Sequence, residues 1–140
     1  MNRFLARSAQ QREVVTLQPK ELVEGQKASI TVINYLGGEY SLTLDECEIS
    51  GSDVKLIEAK HTKNGAIPSE DDIKDGIIKM VLFTNLHSVF IGDKEYAVIP
   101  VLKLSTTRGF NVLNLSASQR QLYNKLIEEA HSNKFQLRFL

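Results

Sequence analysis

A chain of 140 residues with 42% apolar and 24% charged side chains is long enough to bury its own core and too rich in aliphatics for disorder. Seventeen basic residues balance seventeen acidic ones, which excludes a strong net field toward a nucleic acid polymer or an anionic membrane and leaves any anion site to be local. A single cysteine, Cys47, excludes an intramolecular disulfide and reads as a small buried hydrophobe in a reducing cytoplasm.

Residues 1–13 carry Arg3, Arg7 and Arg12 with no sustained apolar period and read as a flexible N-terminal arm. The apolar stretch between Arg3 and Arg7 is too short for a signal sequence, and no segment reaches the roughly 18 apolar residues that span a bilayer, so a soluble, cytoplasmic protein is expected. Residues 14–140 read as one domain. Val14, Val15 and Leu17 start a strand, and Ile30, Val32 and Ile33 mark a second, with Gly37-Gly38 as the turn that follows. Tyr40, Leu42 and Leu44 then alternate with Ser41, Thr43 and Asp45, the period of a half-buried strand. After Asp45 the apolar parity moves to Cys47 and Ile49, as a bulge would cause, and Ser50 to Asp53 form a polar turn before Val54 to Ile57 resume the apolar run.

Residues 60–76 hold two glycines, a proline and an acidic cluster, and predict a long surface loop in which Ser69 caps a single helical turn through Lys74. Glu70, Asp71, Asp72 and Asp75 lack the spacing of a calcium loop and read as a solvated helix start, so no metal site is expected. Residues 77–86 are apolar at both parities and predict a central strand. Pro100, without an N–H, places its part of the next strand at an edge or bulge. The pattern then turns helical: Ser116 and Gln119 have capping-box spacing, and Leu122, Tyr123, Leu126, Ile127 and Ala130 form one stripe, predicting a helix over 117–131. Phe135, Leu137 and Phe139 alternate as a last strand. Six or seven hairpin-linked strands and one late amphipathic helix predict a mostly β fold, an antiparallel barrel with a C-terminal helix, and nothing in the pattern alternates as β-α-β.

No enzyme signature emerges. His61, His87 and His131 fall in a predicted loop, at a strand end and at a helix end, without metal-ligand spacing, and neither a phosphate-binding glycine loop nor a G-x-S-x-G elbow is present. The expectation is a binding protein without catalysis or cofactor.

Two motifs remain, the arm pair Arg3 and Arg7 in R-x-x-x-R spacing and the turn Glu48-Ile49-Ser50-Gly51-Ser52-Asp53. Together with the order of elements they resemble the PilZ domain, a bacterial receptor module for cyclic di-GMP whose pattern is an arginine box followed by [D/N]-x-S-x-x-G at a strand turn. Residues 109–127, a strand signal entering a helix, are similar to the end of that fold. The resemblance implies a PilZ-like barrel acting as a cyclic di-GMP receptor or adaptor. Arg3 and Arg7, with Arg12 as a substitute, would grip phosphate and guanine, Glu48 and Ser50 would read a base edge, and Asp53 would stand at the family's glycine position. Glu48 in place of Asp or Asn moves its acceptor by about 1.5 Å, and Asp53 adds a negative charge near the ligand. The competing expectation is a degenerate barrel that binds an unidentified protein partner and no nucleotide.

Overall fold

The computed structural model describes residues 14–17, 28–33, 39–86, 89–91 and 93–140. Along them run β1 (Val14–Leu17), β2 (Ala28–Ile33), β3 (Glu39–Leu44), β4 (Glu46–Ser50), β5 (Asp53–Thr62), α1 (Glu70–Thr84), β6 (Val89–Ile91), β7 (Lys94–Thr106), α2 (Ala117–Asn133) and β8 (Gln136–Phe139). They sort into two compact units, one taking described residues up to Leu56 together with 85–99, the other 57–84 with 100–140.

The hydrogen-bonded order is β3-β2-β1-β6-β7-β5-β4, with β8 also on β7. Two parts of the sequence-based expectation are corrected by it. The path has ends at β3 and β4, so among the described strands the sheet is not closed into a barrel. Nor is it uniformly antiparallel: β1–β2, β2–β3 and β6–β7 are antiparallel, whereas β1–β6 and β7–β8 are parallel. Hairpin signals report pairing between sequence neighbours alone, and parallel partners need a crossover that no turn motif announces.

In the first unit the expected interruption at Asp45 separates β3 from β4. Leu44 and Cys47 are buried on either side of it, while Ile49 is exposed. The parity shift is real, but it ends before Ile49.

In the second unit β7 runs beside β5 and β8. Its register with β8 carries Val101 against Gln136 through Leu104 against Phe139, and α2 is the crossover between these two parallel strands. That is a β-α-β arrangement, which the alternation of sequence patterns disfavours. Pro100 lies on β7 between the β6 register, at Lys94 to Tyr96, and the β8 register, which starts at Val101. Its missing N–H thus falls where the strand changes partner.

The largest correction is α1. Ser69 caps it as expected, with its Oγ accepting from the Asp72 N–H at 3.2 Å. The helix does not stop after one turn but continues to Thr84, taking in both the predicted loop end and the predicted central strand. Ile73, Gly76, Met80 and Phe83 form its buried stripe at spacings of three and four. Gly76 is no breaker here: a Cβ on it would stand 2.6 Å from Leu102 Cδ1 on β7, so the glycine allows helix and strand to approach closely. α2 follows the sequence more faithfully. The Ser116–Gln119 capping box is formed, Leu126 and Ala130 are buried, and Lys134 at φ 58° ends the helix. Stacked rings of Phe110 and Phe139, 4.5 Å apart, with Tyr123 beside them, fasten α2 to β8.

Candidate functional site

Arg3, Arg7 and Arg12 lie outside the described residues. The rest of the turn motif is in the first unit. Glu48 is half-buried on β4, while Ser50, Gly51, Ser52 and Asp53 are exposed at the β4–β5 turn. Gly51 takes φ +60°, the conformation a tight hairpin turn requires of its left-handed position. The backbone of this turn already has partners: the Ser52 carbonyl accepts from the Ala97 N–H at 2.9 Å, and the Gly51 carbonyl accepts from Lys94 Nζ at 3.2 Å. The same ammonium stands 4.9 Å from the centre of the Tyr96 ring. The structure therefore brings the Gly51 carbonyl of this turn together with one cation, which itself stands over one aromatic face.

A second polar group, which sequence reasoning passed over, sits on the part of β5 in the second unit. Glu58 is 8% exposed and follows the fully buried Leu56 and Ile57. Strand period two puts Lys60 on the same face, about 7 Å further along, and Lys60 is half-buried. From α1, Lys79 Nζ approaches Glu58 Oε2 to 3.8 Å. That distance exceeds a hydrogen bond, so the pair is an electrostatic contact rather than a closed one. The available signal was an acid and a base two residues apart at the buried parity of Val54 and Leu56.

On the opposite parity, His61 lies on β5 rather than in a loop. Its Nδ1 is hydrogen-bonded to Ser105 Oγ at 2.8 Å and its Nε2 to Thr107 Oγ1 at 3.3 Å. These bonds tie β5 to β7. His131 is in the last turn of α2, and His87 lies outside the described residues. Cys47 is buried, and Glu70, Asp71, Asp72 and Asp75 are exposed near the start of α1.

The neutral total conceals an asymmetry. The second unit carries ten lysines and arginines against seven acidic residues, and the remainder of the chain carries the reverse imbalance. No group of three or more His, Cys, Asp or Glu side chains suited to a metal ion is found among the described residues, and no helix among them is long and apolar enough to cross a membrane. Comparison with protein-family models, with curated proteins and with solved structures finds no match.

Proposed function

We propose that the second unit hydrolyses phosphodiester bonds with the help of a divalent cation, Glu58 supplying a metal ligand and Lys60 and Lys79 meeting the phosphate. One observation carries this reading: a buried carboxylate approached by one lysine across a helix–strand contact and sharing a strand face with another. Stability alone is a poor reason for such a group. Replacing a buried ion pair by well-packed apolar residues of similar volume is often neutral or stabilising. Ionisable groups that combine burial with a specific charge partner recur at functional sites.

The chemistry follows from the side chains. Mg²⁺ prefers oxygen ligands and keeps much of its shell as water and substrate phosphate, so one or two carboxylates suffice, and a three-ligand cage is not required. Glu58 would hold such a cation, which when bound would lower the pKa of a water and neutralise the phosphoryl oxygens. Hydrolysis would bond a water oxygen to phosphorus while the ester P–O bond breaks, its electron pair leaving with the departing oxygen. That oxygen takes a proton, and the proton lost by the water passes to solvent. Lys60, as a cation beside the metal ligand, stabilises the charge that builds on the phosphoryl group.

The test is incubation of the full chain with double- and single-stranded DNA and with RNA in the presence of Mg²⁺ or Mn²⁺. Expected are cleavage, its loss on chelation, and its loss in Glu58→Gln with an unchanged circular dichroism spectrum. No cleavage of any of these substrates, or cleavage undiminished in Glu58→Gln, overturns the proposal.

A second reading retains cyclic di-GMP as ligand of the β4–β5 turn, favoured by the placement of Lys94 at the Gly51 carbonyl and over the Tyr96 ring. A cation and an aromatic face suit a guanine nucleotide. Against it, the open, mixed strand order is a poor match to the closed antiparallel barrel that the resemblance implies. Calorimetry with cyclic di-GMP decides: binding abolished in the Arg3→Ala, Arg7→Ala double variant supports it, and no heat at high micromolar ligand removes it.

A further inference from the structure

At the carboxyl ends of β5 and β7 the second unit holds a polar cavity of about 240 Å³, lined among others by Asn64, Gly65, Arg108, Gly109, Asn111 and Asn114. The strand ends lie side by side there, with the Thr107 N–H donating to the Thr62 carbonyl at 3.2 Å. Crevices beyond the carboxyl ends of such strands are where α/β sheets take ligands. We propose that this cavity is a base pocket that reads the O6/N7 edge of guanine in the substrate, an inference that rests on the phosphodiester reading above.

Three features lead to guanine. The first is size: 240 Å³ falls below the roughly 300 Å³ at which drug-sized pockets begin, room for one base or one phosphate but not a dinucleotide. The second is the donor balance. Arg108 offers a planar fork of donors and no acceptor, the lining contains no carboxylate, and the Asn111 carboxamide oxygen is engaged by the Leu113 N–H at 3.0 Å, leaving its NH₂ as the donor. The Arg108 fork and the Asn111 NH₂ suit an edge with two acceptors, and guanine presents O6 and N7 where adenine presents an amino group.

The third feature separates base from phosphate. Phosphate seats in loops are built from convergent backbone N–H groups. Here the Gly65 N–H donates to Thr62 Oγ1 at 3.1 Å and the Gly109 N–H to the Thr106 carbonyl at 3.2 Å. Those donors are spent within the loops. The glycines instead fix loop shape: Gly109 has φ +86°, and a Cβ on Gly65 would stand 3.0 Å from Thr62 Oγ1 and 3.1 Å from the Ile67 carbonyl.

The test uses the isotope-labelled full chain in chelator, titrated separately with guanosine, adenosine and inorganic phosphate and followed by nuclear magnetic resonance. Guanosine is expected to shift the Arg108 Nε–H and the asparagine carboxamide signals saturably. Adenosine should bind at least about 10-fold more weakly, and Arg108→Lys, which keeps charge but loses the fork, should erase the difference. Equal response to the two nucleosides, shifts with phosphate but not with guanosine, or no response to either nucleoside overturns the pocket. Because this readout needs neither metal nor Glu58, guanosine binding without nucleic acid cleavage defeats the hydrolytic reading alone, and cleavage without guanine preference defeats the pocket alone.

Discussion

The β4–β5 turn and the Glu58 region are both polar clusters, one at the exposed start of β5 and the other on its buried stretch, and they differ in what their polarity requires. Ser50, Ser52 and Asp53 are exposed, so water satisfies their side chains whatever they do. Glu58 is buried after Leu56 and Ile57, where a charge is expensive to keep. A polar residue at a turn is explained by the turn; a carboxylate at a core position is not explained by the core. Burial is therefore the more informative observation, and it cannot be read from residue type.

The sharpest way to break this comparison is Glu58→Gln. It preserves shape and removes the charge, and it is expected to lower metal-dependent cleavage by about 10²- to 10⁴-fold, the usual range for loss of a group acting directly in the chemistry. Initial rates on a labelled oligonucleotide measure it. Next comes Lys79→Met, which leaves the Glu58 carboxylate buried beside an apolar chain. Loss of the partner at 3.8 Å is expected to cost about 1–3 kcal/mol of stability, read from urea denaturation. A change near zero would mean that the other contacts of Glu58 already offset its burial and that the contrast with the turn is overstated.

The two helices show how far the sequence reached. α2 was legible because its start is local chemistry: the Ser116–Gln119 box satisfies backbone donors within four residues, and Ser116→Ala is expected to cost about 1 kcal/mol. The α1 segment reads in sequence as loop and strand because Gly76 interrupts it and because Ile77, Ile78, Val81 and Leu82 blur the stripe of Ile73, Met80 and Phe83. The reason for Gly76 lies on another strand, in Leu102, and no local rule finds it. Gly76→Ala gains helix propensity of about 1 kcal/mol, but its methyl meets a Leu102 side chain with no exposed surface into which to retreat. A net loss of about 1 kcal/mol is expected, and Leu102→Ala in the same chain should remove the clash, so the two changes are non-additive in a double-mutant cycle. Parallel pairing and Glu58 were illegible for the same reason, since each depends on what the fold brings next to a residue. The kink at Asp45, the turn at Gly51 and the aromatic strand β8 needed no such partner.

The smallest effect is expected at the turn, and it is the one that separates the readings most economically. Asp53 is exposed, and its neighbours Gly51 and Ser52 hold the hairpin through backbone carbonyls that accept from Lys94 and Ala97. Asp53→Ala removes none of these bonds, so stability should stay within about 0.5 kcal/mol and cleavage rates should be unchanged. Removing this carboxylate also removes a negative charge from the path of any anion bound at the turn. If cyclic di-GMP occupies that turn, affinity must therefore rise in Asp53→Ala, most clearly at low salt, where exposed charges are least screened. Tighter binding in calorimetry would shift the weight of function to the first unit; an unaltered baseline leaves the turn as a hairpin whose polarity serves only its own backbone and the surrounding water.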